Sequence, residues 1–185
     1  IDRTDMQVGP MKLEVTDLMR ELRVTIVDND TGISADLIFT ATSPVHEEPT
    51  DRVRQDGAVR MVAKMKRYTQ FGRWNGHITI KGERQVIANA CGIRDRSWGW
   101  RFSGEPQGGT HRLRPNQAFY LWAPIFWEDR CTHYGTWENS DGVPLKEFAQ
   151  VFPLYDNDAT FDVLDPTGFR TIQPGQHRMQ FDDPK

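Results

Sequence analysis

Apolar and polar residues alternate with a period of two along much of the chain, and clusters of turn-forming residues separate the alternating stretches. In residues 74–80, for example, the apolar and small positions fall on one face, and Asn75, His77 and Thr79 fall on the other. This period is typical of β-strands that bury one face. The pattern therefore predicts strands rather than helices for most of the chain.

Turn signals at residues 28–32, 81–84 and 139–142 divide the strands into three hairpins. The predicted strands lie at 22–27, 33–42, 74–80, 85–91, 132–138 and 143–152, with an aromatic strand at 119–127. Residues 59–68 fit a strand or, loosely, a helix, and the neighbouring strands favour a strand. Residues 43–55 contain two prolines and a run of charges, so we expect an exposed connecting loop.

Short strands at regular spacing predict an all-β, antiparallel, lipocalin-like barrel or sandwich. A wrapped sheet is favoured because an open sheet exposes strand edges that can pair with other chains. A barrel of about eight strands has room for one small ligand. The composition shifts near residue 156, which divides the chain into a lipocalin-like domain at 1–155 and a linker with the start of a second such domain at 156–185. The first residue is Ile1, and the last residues resemble a strand. We therefore expect a piece of a two-domain protein that lacks its N-terminal strands.

The composition excludes several classes of function. The net charge is −3, so no excess of basic residues points to nucleic acid as a partner. No apolar run approaches the roughly 18 residues of a transmembrane helix, and no signal peptide opens the chain, so we expect a cytoplasmic protein. The glycine-rich residues 103–110 lack the Lys-Ser or Lys-Thr of a phosphate-binding loop.

The two cysteines, Cys91 and Cys131, are expected to be reduced and buried. The alternative is a single disulfide between them, which requires that their strands be neighbours. Neither cysteine has a second ligand at C-x-x-C spacing, so no metal site is expected. His133 and Glu138 are an odd number of residues apart and would face opposite sides of a strand, which also disfavours a metal site there.

The most informative stretch for function is residues 92–101, G-I-R-D-R-S-W-G-W-R, with three arginines and one aspartate around two tryptophans. In an extended strand Arg94, Arg96, Trp98 and Trp100 point to one side and Asp95 to the other. Burial of such charges requires ion pairing and stacking of guanidinium groups on indoles. Two interpretations stay open: Asp95 holds arginines and closes one end of a barrel, or the cluster forms the polar end of an apolar pocket. Because a carboxylate between arginines keeps its charge, Asp95 suits orienting better than proton transfer.

This stretch resembles the G-x-R-D-[RH]-S-W-G-x-R signature of the AttH-like and hydroxyneurosporene-synthase-like proteins, to which fungal Diels–Alderases are distantly related. Residues 68–76, Y-T-Q-F-G-R-W-N-G, are similar to that family's Y-x-Q-x-G-x-W-x-G lead-in, and residues 119–129 are also similar. The resemblance covers about residues 8–155. It implies two lipocalin-like halves, a hydrophobic substrate and chemistry without a cofactor, such as water addition, isomerisation, elimination or pericyclic closure.

The first functional hypothesis is therefore a cofactor-independent lyase, hydratase or isomerase that acts on an isoprenoid or aromatic molecule in a β-barrel pocket. Arg94, Arg96 and Arg101 would orient or stabilise charge on a substrate oxygen, Asp95 would position them, and His133 or a tyrosine would move protons. The candidate substrate-binding residues are Arg101, Trp98, Trp74, Tyr120, Trp122 and Tyr134. The alternatives are a non-catalytic carrier of a hydrophobic ligand and a structural or interaction module. Assembly into a homo-oligomer stays open.

Overall fold

The computed structural model describes residues 6–48, 51–54, 61–101 and 117–173. Within these residues the chain forms strands and no helix, and all strand pairs are antiparallel. The all-β, antiparallel prediction is therefore confirmed. The strands are β1 Gln7–Val8, β2 Met11–Asp17, β3 Glu21–Ile26, β4 Ile33–Ala41, β5 His46–Glu47, β6 Asp51–Arg54, β7 Met61–Ile80, β8 Glu83–Arg101, β9 Gln117–Phe126, β10 Arg130–Asn139, β11 Pro144–Pro153 and β12 Arg170–Thr171.

The strands form two sheets. In the first, β1 to β4 follow one another and β4 pairs with the long strand β7, which also pairs with β5, β6 and β8. The second has the order β12-β11-β10-β9. The β7–β8 hairpin turns at Lys81 and Gly82, whose φ angles are both positive, at 51° and 86°. Two successive positive φ angles match the twist of paired strands, which explains the tight turn.

Two apolar cores lie on opposite faces of β7. Phe71 projects toward the second sheet and packs with Cys131 and Phe152. Trp74 is three residues further along the strand and therefore projects the other way, onto Phe39 and the core of β3 and β4. The two faces of the first sheet are thus buried by different parts of the chain, and only one of them meets the second sheet.

Two predictions of local structure were wrong. Residues 43–55 do not form an exposed loop throughout, because β5 and β6 lie within them and pair with β7. Cys91 is exposed rather than buried, although both cysteines are free as expected. Strands β1 and β2, in residues 7–17, were not among the predicted elements.

The chain after β11 packs on the first sheet. The Tyr155 amide donates to the Thr42 carbonyl at 2.8 Å, and the Val163 carbonyl accepts from the Val45 amide at 2.8 Å. Phe169 contacts the core between the sheets. Residues up to 173 therefore contact the sheets of the first predicted domain, and the second domain stays a prediction. Among the described residues no helix is long and apolar enough to cross a membrane.

Candidate functional site

His133 lies on the face of β10 that meets the first sheet, and its side chain is fully buried. Its ring is surrounded by aromatic rings, with centroid distances of 4.8 Å to Phe148, 4.9 Å to Trp122 and 6.2 Å to Phe71. Gly135, two residues along β10, makes room for this packing, because a Cβ atom there would lie 2.6 Å from the Phe148 ring. The local sequence thus places an imidazole inside an aromatic shell.

Two polar residues from the β5 segment join His133. His46 pairs with Thr69 of β7, and its ring centroid lies 6.4 Å from that of His133. Glu48 is 2 % exposed, and its amide donates to the Arg67 carbonyl at 2.9 Å. We call His46, Glu48, His133 and Gln150 the interior polar cluster. Gln150 belongs to it because it is the antiparallel partner of His133 on β11 and shares its face.

The Glu48 carboxylate connects the two sheets. Its Oε1 accepts hydrogen bonds from Thr69 Oγ1 at 3.0 Å and from Trp122 Nε1 at 3.2 Å. Lys146 Nζ lies 3.9 Å from Oε2, and the Lys146 side chain is 20 % exposed. Trp122, a predicted substrate-binding residue, thus donates its indole N–H to a buried carboxylate beside His133.

The interior polar cluster contains most of the buried polar side-chain atoms that lack a hydrogen-bond partner. Nine such atoms occur among the described residues. Five belong to the cluster: His46 Nε2, Glu48 Oε2, His133 Nδ1, His133 Nε2 and Gln150 Oε1. Buried polar groups in folded proteins are nearly always hydrogen-bonded, and each unpaired one costs about 1–3 kcal/mol. Their concentration at one place marks this site as the strongest functional candidate in the described chain.

Burial determines the charge of both histidines. Desolvation lowers the pKa of His133 to about 3, and repulsion from the charged form of His46 and from Arg67 and Lys146 lowers it further. Desolvation likewise lowers the pKa of His46 to about 4. Both imidazoles are therefore neutral near pH 7, so each offers one N–H donor and one acceptor nitrogen. Both rings can therefore exchange hydrogen bonds with a neutral molecule.

The Arg94–Asp95–Arg96 segment is divided between the two faces of β8. Asp95 is the partner of Thr69 and lies on the side of the second sheet, where its carboxylate is 3.6 Å from Arg67 Nε. Arg94 and Arg96 lie on the opposite face, and Arg94 stacks over the Tyr68 ring at 5.5 Å. The arginine that pairs with Asp95 is Arg67 of β7, and the role predicted for Asp95 as an orienting group stays a prediction. The structure does not bring Arg94 or Arg96 together with His133.

The other predicted substrate-binding residues lie apart from one another. Trp74 packs in the core on the far face of β7, and Trp98 is 43 % exposed beside Tyr68. Tyr120 is half exposed against Trp137. Tyr134 is on the face of β10 opposite His133, where its hydroxyl donates to Glu147 at 2.8 Å and its pKa is raised to about 12, first by desolvation and then by that bond. The side chain of Arg101 lies outside the described residues.

Sequence reasoning did not find His46 and Glu48. They occur in a segment whose prolines and charges indicate a solvated connection, and nothing local marks them as buried. Their burial follows from pairing with the middle of a strand about twenty residues further on. No group of three His, Cys, Asp or Glu side chains in the described part of the chain is arranged to hold a metal ion.

The fold and the cluster define a class: an antiparallel all-β protein with a buried polar site between two sheets. The sequence matches the profile of the family of unknown function DUF8625 over residues 1–183, so the chain belongs to this family. No curated protein matches the sequence, and no solved structure matches the fold.

Proposed function

We propose that this protein binds a hydrophobic isoprenoid or aromatic molecule at the interior polar cluster and acts on it as a cofactor-independent lyase, hydratase or isomerase. The observation that supports this most is His133, which is fully buried among aromatic rings with neither ring nitrogen hydrogen-bonded within the described protein. A substrate oxygen beside that imidazole would supply the missing partner. The surrounding rings would contact the apolar part of the molecule.

The chemistry requires that a proton leave one atom of the substrate and return to another. A neutral imidazole can accept a proton at one nitrogen while a second group donates one, and such catalysis contributes about 10²–10⁴-fold. His46 and Glu48 are the second groups available beside His133. Water addition, elimination and double-bond migration all follow this scheme and leave oxidation states balanced. The resemblance of residues 92–101 to AttH-like proteins supports the same reaction classes.

In this proposal Arg94 and Arg96 do not touch the substrate, because they lie on the opposite face of β8 from Asp95. Arg67 supplies the positive charge near the site in place of Arg94 and Arg96. It pairs with Asp95, and its charge lowers the pKa of His133. A positive charge at that end of the cluster favours negative charge developing on a substrate oxygen.

A non-catalytic carrier is the second candidate. It is favoured by the pKa of His133, because an imidazole that titrates near 3 is a weak proton acceptor at neutral pH. A neutral hydrogen-bonding ring is sufficient to hold an alcohol or a ketone in an apolar interior. The carrier and the enzyme therefore use the same residues and differ in proton transfer.

The experiment measures binding and proton transfer separately. Retinol binding is followed by quenching of tryptophan fluorescence, and a panel of isoprenoid alcohols is incubated in D₂O and analysed for deuterium uptake at carbon and for isomerised or hydrated products. An enzyme exchanges deuterium, and His133→Gln lowers that rate by about 10²-fold or more while it retains binding. Binding of an alcohol without deuterium exchange would identify the protein as a carrier. If no alcohol binds or reacts, both functions are rejected.

The matched control is His77→Gln. His77 lies on the part of β7 that pairs with Asp36, away from the cluster. This variant should bind and react like the original protein. Circular dichroism and thermal unfolding of each variant separate a loss of function from a loss of fold.

A further inference from the structure

A polar cleft of about 180 Å³ lies where β7, β8 and the chain after β11 meet. Its polar lining consists of Thr42, Arg73, Asn89, Glu128, Asp156 and Asn157. None of these residues belongs to the interior polar cluster, so the cleft is a separate candidate site. Its volume is below the roughly 300–1,000 Å³ of pockets for drug-sized ligands, which restricts it to a smaller molecule.

One wall of the cleft is formed by an irregularity in β8. The pairing register shifts between Trp74 and Gly76, and Asn89 in this bulge has a φ of 53°. Few residues other than glycine adopt this conformation, and Asn tolerates it better than most. The Asn89 amide donates to Asn75 Oδ1 at 2.8 Å, and Asn89 Oδ1 accepts from Asn157 Nδ2 at 3.1 Å. These bonds hold the bulge against the opposite wall.

The opposite wall is also held in place. Arg20 donates to the carbonyls of Asn157 and Ala159, at 2.8 Å and 3.1 Å. The guanidinium of Arg20 lies 4.4 Å from the centroid of the Phe161 ring, and that ring stacks on Tyr155. These contacts therefore hold both walls of the cleft in place. Less binding free energy would be spent on ordering the walls when a ligand binds.

The charges in the cleft are not paired with one another. Arg73 donates to the Cys91 sulfur at 2.7 Å and lies over the Phe126 ring, and within the described chain no carboxylate is within 4 Å of it. Glu128 and Asp156 likewise have no described cation within 4 Å of their side chains. Thr42 is 2 % exposed, and its hydroxyl has no hydrogen-bond partner among the described residues. The cleft thus contains one guanidinium without a carboxylate partner, two exposed carboxylates without a cation partner, and one buried hydroxyl without a hydrogen bond, all among the described residues.

We propose that this cleft binds a small diamino acid, a molecule with one carboxylate and two ammonium groups. The ligand carboxylate pairs with the Arg73 guanidinium, whose planar donors suit a carboxylate, and with the Thr42 hydroxyl. The two ammonium groups pair with Glu128 and Asp156. The net charge of the ligand, +1, complements the net charge of −1 on Arg73, Glu128 and Asp156. The proposal does not depend on chemistry at His133.

The test uses isothermal titration calorimetry of the whole chain with three probes of matched length. L-Lysine has all three charged groups, norleucine lacks the second ammonium and cadaverine lacks the carboxylate. Lysine should bind at least about tenfold more tightly than either analogue, because each missing group leaves a charge unpaired. Equal affinity for all three probes, or no heat with lysine at millimolar concentrations, overturns the proposal.

Two variants test which cleft residue contacts which charged group of the ligand. Arg73→Gln should weaken lysine about tenfold or more and should not weaken cadaverine, whereas Asp156→Asn should weaken both. Asp158→Asn, two residues from Asp156 and not part of the lining, is the matched control. Lysine binding that neither cleft variant alters places the ligand elsewhere and refutes the assignment. His133→Gln should leave lysine binding unchanged, so this proposal and the proposed function fail by different outcomes.

Discussion

The carboxylate of Glu48, which follows β5, accepts a hydrogen bond from the indole of Trp122 on β9 at 3.2 Å. Because β5 and β9 belong to different sheets, this bond crosses the interior between them. The same carboxylate oxygen accepts from Thr69, so one buried acceptor orients a side chain of each sheet. The position of the aromatic shell around His133 therefore depends on a residue from a short edge segment.

Glu48→Leu should lower the free energy of unfolding by about 2–4 kcal/mol, because Thr69 and Trp122 would lose their buried acceptor. Glu48→Gln retains a carbonyl oxygen and should cost less than half as much. Urea unfolding followed by tryptophan fluorescence gives both values. An unchanged midpoint for Glu48→Leu would mean that these hydrogen bonds contribute no net stability.

The stability should fall as the medium is acidified. The folded pKa values of His133, about 3, and His46, about 4, are both below the ordinary value of 6.5. The unfolded chain therefore binds more protons between pH 6.5 and these values, and the stability contributed by the neutral rings is complete above pH 6.5. Each histidine should remove up to about 1.4 kcal/mol per pH unit over its interval.

The measurement is a series of urea titrations between pH 7.5 and pH 4. The double variant His46→Gln, His133→Gln should show a shallower dependence, since the carboxylates that remain are the same. A slope as steep in the double variant as in the original protein would contradict the assignment to these two rings.

Gly92→Ala should destabilise the first sheet by about 1–3 kcal/mol, because the added Cβ meets the indole of Trp74. Trp74→Leu should cost stability by itself but make the alanine better tolerated, so the two changes should be less than additive. Thermal unfolding of the four proteins of this cycle gives the coupling. Additive effects would show that Trp74 does not pack over Gly92 in solution.

Asp95→Asn should change the free energy of unfolding by no more than about 1 kcal/mol. Its ion pair with Arg67 spans 3.6 Å, and both side chains are more than a third exposed, so water screens the attraction. A matched Arg94→Gln variant should also be mild, since Arg94 does not pair with Asp95. A loss above about 3 kcal/mol for Asp95→Asn would indicate a buried clamp of the kind expected from the sequence.

The two thiols should react differently. Cys91 is exposed, whereas Cys131 is fully buried and desolvation raises its pKa to about 12. Because the thiolate is the reactive form, a disulfide reagent at pH 8 should modify one thiol rapidly in the native protein and both after denaturation. Replacing Cys91 with Ser should abolish the fast reaction. Rapid modification of Cys131 in the folded protein would contradict its placement in the core.

Much of the strand content could be predicted because it depends on neighbours in sequence. The hairpin of β7 and β8 follows from alternation on both sides of Lys81-Gly82, and β10 with β11 follows from the turn after Asn139. The opposite orientation of Arg94 and Asp95 also follows from a period of two. His133 could be chosen as a candidate from its residue type alone.

The rest of the site could not be predicted because it depends on contacts between distant segments. The alternation of β8 does not reveal that Asp95 meets Arg67, since that pairing depends on the register of the whole β7–β8 hairpin. Burial of His46 and Glu48 against Thr69 and Trp122 depends on how the two sheets stack.

The sequence by itself determined that this is an antiparallel β protein, because strand period and turn chemistry act over a few residues. Only the tertiary structure decided which polar residues are removed from water. Desolvation depends on every chain segment that covers a group, and for His133 those segments come from β7, β9, β11 and the residues around His46.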